Sequence, residues 1–302
     1  MLGVSAFWGH SRGLSVPDLV HEALSLGFGG LELDGIRGEG LQQLRRFIHD
    51  GVIKAPSVHD PCSLGPLYGI IEPPQGDWLA SRDADRRHRA VECGKRSIEL
   101  AASLGANAVV IHSGKVKIPS YQHELNELLR SVGRDAPEYQ TLMRRGQEER
   151  DLAKAPHIEN VLRSLEQLGL VARDLGIRLG IETRVGYIEV PDLAEMKLIL
   201  DQLSYLPLYY WHDAGHAQIM ENLGFESHEE FLRTFSDRLI GIHLHDAEYG
   251  FDHMAPGMGK IDFDLVARYV PPDAIKVIEP FHAVTYDQMK RAVAYLREHG
   301  LE

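Results

Sequence analysis

Six short apolar stretches of this sequence each end in a histidine or a carboxylate, the side chains that bind metal ions and move protons. Stretches such as VVIH, LGIE and KVIE are otherwise typical of a buried strand. A buried carboxylate or imidazole is costly unless it is paired or bound to a metal ion, so the recurrence predicts one shared site. The six end positions are His59, His112, Glu182, Asp213, His243 or His245, and Glu279.

The donor types at these positions predict a divalent cation. Carboxylate oxygens and imidazole nitrogens suit Zn²⁺, Mn²⁺, Co²⁺ or Mg²⁺ and do not select sharply among them. Cysteines do not supply the site, because Cys62 and Cys93 are too few for a cysteine-based zinc site within one chain.

The elements that position these residues are strands that alternate with helices. Eight β-branched or apolar runs, followed by amphipathic stretches, indicate βα units and a parallel sheet. The pattern predicts a (β/α)8 TIM barrel, whose functional side chains lie at the C-terminal ends of the strands. The runs lie near residues 2–7, 30–35, 52–59, 107–112, 177–182, 208–213, 239–245 and 274–279.

The interval between the fourth and fifth runs is too long for one barrel helix and its loops. Its excess, about 115–155, contains LNELLRSV and YQTLMRRGQEERDLA, which predict extra helices. We expect a helical insertion after the fourth strand that acts as a lid or subsite over the C-terminal mouth. No linker or shift in composition divides the chain, so residues 1–302 are predicted to form a single domain.

Composition and charge restrict the class of partner. The 302 residues are 44% hydrophobic and 25% charged, a balance typical of soluble globular proteins. A net charge of −12 argues against nucleic acid as the partner, although a local basic face stays open. No signal-peptide pattern or membrane span is visible, so we expect a cytoplasmic protein without a membrane partner.

Five motifs resemble successive motifs of the xylose-isomerase-like barrel superfamily: GIETR, WHDAGHA, GIHLHD, DHMAPGMGKIDF and VIEP. This superfamily includes sugar and sugar-phosphate isomerases and epimerases, hydroxypyruvate isomerase, inosose dehydratase and endonuclease IV. The resemblance implies one divalent metal ion. The implied metal ligands are Glu182, Asp213, His243 and Glu279.

The resemblance also separates two histidines on the seventh strand. The family pattern has an acidic residue three positions after the ligand, which here is Asp246 after His243. His245 would then support the ligands or face the substrate, and a purely structural hydrogen bond is the alternative for it.

Endonuclease IV carries two further metal ions, and its additional motifs resemble SVHDP, VVIHSG and DAGHA. They imply His59, His112 and His216 as further ligands, with His253 in the last loop. That loop departs from the family, because Phe251 stands where an Asp is expected and Asp252 is displaced by one residue. Two or three metal ions therefore stay open, and in isomerase-like relatives such histidines, here including His112 and His216, bind substrate instead.

The function implied is a metal-dependent isomerase or epimerase of a small sugar, sugar phosphate or related keto acid. Glu182 and Glu279 would be the acid and base that move the proton next to the carbonyl of this polyhydroxy substrate. Arg184 would anchor a substrate carboxylate or phosphate, or form a surface ion pair. The alternatives are an endonuclease IV-like phosphodiesterase and a metal-dependent sugar-binding protein without catalysis, and a homodimer is also left open.

Overall fold

Eight parallel strands form one curved sheet in the computed structural model, which describes residues 1–10, 12–61, 78–281 and 283–302. Cys62 lies outside the described residues, and Cys93 is a buried thiol. The strands are β1 (Leu2–Ser5), β2 (Gly30–Glu32), β3 (Ser57–His59), β4 (Ala108–Ile111), β5 (Arg178–Glu182), β6 (Leu208–Asp213), β7 (Leu239–Leu244) and β10 (Ile275–Ile278).

The sheet closes into a barrel at the seam between β2 and β3. Its strand order is β2-β1-β10-β7-β6-β5-β4-β3, and two isolated parallel bridges join the end strands, Gly30 to Lys54 and Leu33 to Val58. The second pair is one residue further apart in sequence than the first, so the seam contains an irregularity. Pro56 lies between the two bridges and has no N–H to donate. The predicted TIM barrel is confirmed, with an irregular seam.

Strands β8 (Asp246–Glu248) and β9 (Phe251–Met254) form an antiparallel hairpin after β7. The sequence did not predict this hairpin. Its turn places Tyr249 at φ 54°, and His253 within β9 has φ 53°. Left-handed backbone costs a non-glycine residue roughly 1–2 kcal/mol, so the surrounding contacts must hold both residues in place.

The helices begin and end at ordinary capping signals. Ser15 accepts from the Asp18 N–H at the start of α2 (Val16–Ser25), and Gly105 and Gly176 have left-handed φ where α4 (Ala84–Leu104) and α7 (Ala155–Leu175) end. None of the helices in the described part of the chain is long and apolar enough to cross a membrane. The helices are α1 (Phe7–His10), α2 (Val16–Ser25), α3 (Gly38–His49), α4 (Ala84–Leu104), α5 (Gln122–Ser131), α6 (Pro137–Ala153), α7 (Ala155–Leu175), α8 (Leu193–Gln202), α9 (Ala214–Asn222), α10 (His228–Phe235), α11 (Phe263–Tyr269) and α12 (Tyr286–Glu298).

Helices α5 and α6 occupy the segment in which the sequence predicts extra helices. The Gln122 side chain donates to the Val185 carbonyl at 2.7 Å, and the Tyr139 hydroxyl donates to the Leu223 carbonyl at 2.8 Å. Val185 follows β5, and Leu223 ends the helix that follows β6. The inserted helices therefore contact loops at the C-terminal end of the barrel, and their action as a lid stays a prediction.

The barrel interior is filled below this end by a fully buried indole. Trp211 packs with Val110, Val277 and neighbouring apolar side chains. A Cβ added to Gly241 would lie 2.1 Å from the Trp211 ring, so only glycine permits this packing. The layer provides a solid floor under the side chains at the strand ends.

Candidate metal centre

Four predicted ligands converge at the C-terminal mouth of the barrel. Glu182 ends β5, Asp213 ends β6, His243 lies near the end of β7 and Glu279 follows β10. One possible ligand atom from each lies within 4.8 Å of the others, and the residues are between 0 and 6% exposed. The structure thus brings together the four residues that the sequence singled out.

His243 is held by carboxylates at both ring nitrogens. Its Nδ1 lies 2.6 Å from Glu182, 3.2 Å from Glu279 and 3.6 Å from Asp213. Burial alone would lower the pKa of His243, but carboxylates including Glu279 and Glu32 outweigh it and hold the pKa well above its usual value. Several buried negative charges facing one point require a cation, and three carboxylates with an imidazole form a donor set that fits a divalent metal ion.

Glu32 is a functional candidate that the sequence prediction missed. It is fully buried at the end of β2, accepts from the Ser57 hydroxyl at 2.6 Å and lies 2.9 Å from His243 Nε2. This contact turns His243 Nδ1 toward the other three carboxylates, as carboxylates behind metal-binding histidines commonly do. The signal that identified the other site residues was also present here, because Glu32 is a polar residue at the end of an apolar strand.

A second group of possible ligands shares Glu182 with the first. His59, His112 and Glu182 offer atoms within 4.8 Å of one another. His112 Nε2 lies 2.6 Å from Glu182 Oε2, yet this buried nitrogen has no hydrogen bond of acceptable geometry to a described residue. Burial, with Arg184 nearby, lowers the pKa of His112 to about 4, which leaves a neutral imidazole that can act as a ligand.

Glu182 and Glu279 are both held as anions. Burial would raise the pKa of each, but the positively charged His243, 2.6 Å away, lowers that of Glu182 well below its usual value. His243 and His253 lower the pKa of Glu279. Ionised carboxylates can bind a cation or accept a proton.

A third group consists of His216, His245 and His253, whose possible ligand atoms also lie within 4.8 Å of one another. His216 Nδ1 lies 3.0 Å from the Thr183 carbonyl, so it donates there and leaves Nε2 available. Asp252 lies 3.7 Å from that Nε2. Asp252 thus faces this group despite its displaced position in the sequence.

Phe251 at the expected aspartate position is directed elsewhere. Its side chain is 59% exposed, and the Arg130 guanidinium lies 5.5 Å from its ring centroid. The hairpin register, rather than the sequence spacing, thus places Asp252 beside His216.

His245 is engaged at both ring nitrogens. Its Nδ1 accepts the His253 backbone N–H at 2.7 Å, so Nε2 carries the proton and donates to Asp213 at 3.0 Å. A Cβ on Gly215 would lie 2.1 Å from this ring. The contacts suit a residue that orients Asp213, one of the two roles that the resemblance implied.

Arg184 forms an ion pair that is largely shielded from solvent, and the interpretation as a surface ion pair is wrong. Its side chain is 9% exposed and lies 2.5 Å from Glu182 and 2.9 Å from Glu189. Glu189 approaches because the segment after β5 turns back, with the Gly186 N–H donating to the Glu189 carboxylate at 2.8 Å. Arg184 therefore partly balances the charge of Glu182.

Asp246, the acidic residue of the family pattern, supports a loop. Its carboxylate accepts the backbone N–H groups of Gly257 at 2.9 Å and Ile261 at 3.0 Å. This fixes the segment after the hairpin β8–β9 against the end of β7.

A buried hydrogen-bonded chain lies behind the strand ends. Tyr210 Oη lies 2.7 Å from both Thr183 Oγ1 and His212 Nδ1, and His212 Nε2 lies 2.9 Å from His228 Nε2. The two Nε2 atoms can form a hydrogen bond only if one of them carries a proton and the other does not. Burial lowers the pKa of His228 to about 4, in agreement with this requirement.

The free energy of unfolding should therefore fall in mild acid. The folded-state pKa of His228, about 4, lies below the value of about 6.5 expected for an unfolded chain. As the pH falls, the unfolded chain binds the proton first. The contribution of His228 to the free energy of unfolding is therefore constant above about pH 6.5 and decreases toward pH 4, by about 2 kcal/mol at pH 5. Urea unfolding at pH 7.5 and pH 5 should show a smaller decrease for His228→Gln than for wild type. His21→Gln, at an exposed position, should keep the wild-type decrease, and equal decreases in all three proteins would contradict the prediction.

The barrel and the residues at its strand ends define the fold class, and comparison with known proteins identifies the family. Residues 20–299 match the family model described as xylose isomerase-like TIM barrel. The chain belongs to this family.

Two relatives are 24% identical to the chain and are uncharacterized proteins: y4fM of Sinorhizobium fredii, over 236 residues, and MJ1311 of Methanocaldococcus jannaschii, over 211 residues. The alignments include 75% and 69% of this chain but only 65% and 57% of the relatives, so the chain spans less than two thirds of their length.

Solved structures share the fold at low identity. The 3-keto-D-glucoside 4-epimerase YcjR from E. coli has a TM-score of 0.69 and 17% identity, with 98% of each chain covered. The D-psicose 3-epimerase from Clostridium cellulolyticum H10 has a TM-score of 0.68 and 15% identity, covering 99% of this chain and 98% of its own. The zinc-bound IOLI protein has a TM-score of 0.66 and 14% identity, covering 99% and 96%.

Proposed function

We propose that this protein is a divalent-metal-dependent isomerase or epimerase of a small sugar or related polyhydroxy carbonyl compound. The observation that carries the proposal is the convergence of Glu182, Asp213, His243 and Glu279 on one buried point at the barrel mouth. The epimerase names of two structures with the same fold support this reaction class.

The proposed site would use Glu182 and Glu279 as its proton-transfer pair. They lie 2.6 and 3.2 Å from the same His243 nitrogen, so a substrate carbon near this point is within reach of both. One carboxylate removes the proton next to the carbonyl, and the other returns a proton. A bound divalent ion would supply Lewis-acid polarisation of the carbonyl and neighbouring hydroxyl oxygens.

Substrate contacts are assigned to side chains that protein partners leave exposed or with an available ring nitrogen. The His112 side chain is 26% exposed, whereas Arg184 is paired with two carboxylates and His245 is engaged at both ring nitrogens. His216 keeps one ring nitrogen available near Asp252. We therefore assign substrate hydroxyl contacts to His112 and His216, and positioning of Glu182 and Asp213 to Arg184 and His245.

Deuterium exchange tests this function directly. The protein is treated with a chelator, reloaded with Mn²⁺, Co²⁺, Zn²⁺ or Mg²⁺ and incubated in D₂O with a panel of ketoses and keto acids. We expect deuterium at the carbon next to the carbonyl of at least one substrate, only in the metal-loaded samples. No exchange across the panel, with metal binding demonstrated, would reject the proposal.

The second candidate function is a phosphodiesterase with two or three metal ions. Its supporting observation is that the three ligand groups lie side by side, two of them sharing Glu182. The net charge of −12 and the engaged nitrogens of His245 argue against it. One metal equivalent per chain by elemental analysis favours the isomerase, whereas two or three with cleavage of an abasic-site oligonucleotide dependent on His112 and His253 favour the phosphodiesterase.

A further inference from the structure

A second cavity lies on the same side of the barrel as the candidate metal centre and has a volume of about 410 Å³. None of its described lining residues belongs to the three ligand groups. It is bordered by residues 78–86 before and within the first turn of α4, residues 115–118 after β4, His157 in the first turn of α7, and Ile188 after β5.

The lining of this cavity is cationic although the whole chain is acidic. Among the residues that the structure describes, it includes Arg82, Arg86 and Lys117 against one carboxylate, Asp83; Lys115 also borders the cavity but has a partner of its own. Asp83 accepts the Asp85 and Arg86 N–H groups as the N-cap of α4, and it lies 3.8 Å from the Arg86 side chain. These three cations around a concave site favour an anionic ligand, in a chain with 32 basic and 44 acidic residues.

The wall between this cavity and the metal centre is hydrogen-bonded backbone. The Val116 N–H donates to the Ile188 carbonyl at 2.8 Å, and the Val190 N–H donates to the Gly114 carbonyl at 2.8 Å. These bonds join the segment after β4 to the segment after β5. The cavity is therefore a separate site.

The buried side chain of His157 fixes the opposite side of the cavity. Its Nδ1 lies 2.9 Å from the Ala80 carbonyl, and its Nε2 accepts the Lys117 N–H at 3.4 Å. Asn160 donates to the Ser81 carbonyl at 3.0 Å in the next turn of α7. These contacts hold the segments that carry the basic side chains, so the cavity is formed without a ligand.

An aromatic ring lies among the cationic groups. Trp78 is partly buried, and the Arg86 guanidinium lies 5.4 Å from its ring centroid. The volume falls within the range of about 300–1,000 Å³ for small-molecule sites and exceeds the space that a phosphate group alone would fill. A ligand with an anionic group and an organic part matches both features.

We propose that this cavity binds a phosphorylated small molecule, a phosphate monoester. Its dianionic phosphate would lie among Arg82, Arg86 and Lys117, where guanidinium groups can donate paired hydrogen bonds. Its organic part would lie against Trp78. The site requires neither a bound metal ion nor isomerase activity.

Tryptophan fluorescence can report on this site. Of the three tryptophans in the chain, Trp8 and Trp211 are fully buried, and Trp78 is partly exposed in the cavity. The probe is phenyl phosphate, which has no carbonyl to isomerise, added to the full chain after chelator treatment. We expect a saturable fluorescence change that weakens with salt, weaker binding of inorganic phosphate, and no saturable change with phenol. The change should be lost in Trp78→Phe.

Charge reversal supplies the second measurement. The double variant Arg82→Glu/Lys117→Glu, at two exposed positions, should weaken phenyl phosphate binding by about tenfold or more in calorimetry. Arg233→Glu on α10 is the matched control outside the cavity and should bind like wild type. The proposal is overturned if phenyl phosphate gives no saturable change, if the change persists in Trp78→Phe, or if the double variant and the control bind equally.

Discussion

Glu182→Gln is expected to lower the metal affinity of this protein by about 100-fold or more, while the barrel stays folded. Glu182 belongs to two of the three ligand groups and lies 2.6 Å from both His112 and His243. The amide keeps the shape of the side chain but removes the anionic oxygen that a cation requires. The packed layer around Trp211 lies below the site, so the core is not disturbed.

Metal content and thermal unfolding measure this effect together. Wild-type protein should be stabilised by added metal, because a ligand that binds only the folded state raises the free energy of unfolding. Glu182→Gln should show little metal and little stabilisation. The matched control is Glu189→Gln, which also removes a carboxylate from Arg184 but lies outside the ligand groups. Normal metal content in folded Glu182→Gln would reject Glu182 as a ligand.

Glu279→Gln is expected to reduce deuterium exchange into the substrate by about 10²–10⁴-fold, the usual contribution of a general base. Glu279 is 6% exposed, whereas Glu182, Asp213 and His243 are fully buried, so it is the ligand candidate that faces the open side. The exchange rate is divided by the metal content of each sample, which separates loss of proton transfer from loss of metal.

His253→Gln is the comparison for this experiment. His253 lies 3.7 Å from Glu279 but outside the group of four ligands. For an isomerase or epimerase we expect a much smaller loss of exchange than in Glu279→Gln. Unimpaired exchange by metal-loaded Glu279→Gln would show that another group moves the proton.

The fold was predictable because its signals are local. Runs such as AVVI and LGIE are apolar enough to identify buried strands, and parallel strands of one barrel bring their C-terminal ends together. His112 and Glu182 are therefore neighbours although a long insertion separates them in sequence. The same logic applies to Glu32, which the sequence prediction missed.

The hairpin was not predictable from local signals. The segments Asp246–Glu248 and Phe251–Met254 are short and polar, without the alternation that identifies a half-buried strand. Their pairing depends on distant contacts, such as the bond from the His253 N–H to His245. The orientation of Asp252 follows from that pairing. The burial of Arg184 likewise depends on the turn that brings Glu189 toward it.

The irregular seam between β2 and β3 has a consequence for local opening of the barrel. The seam is held by a few backbone bonds, including Leu31 N–H to the Lys54 carbonyl and His59 N–H to the Leu33 carbonyl. Amide protons at this seam should exchange with solvent faster than those between β5 and β6, where the ladder is regular. Glu32 and His59 end these two strands beside His243. A bound metal ion should therefore slow amide exchange at the seam, which would link local opening of the barrel to metal binding at its C-terminal mouth.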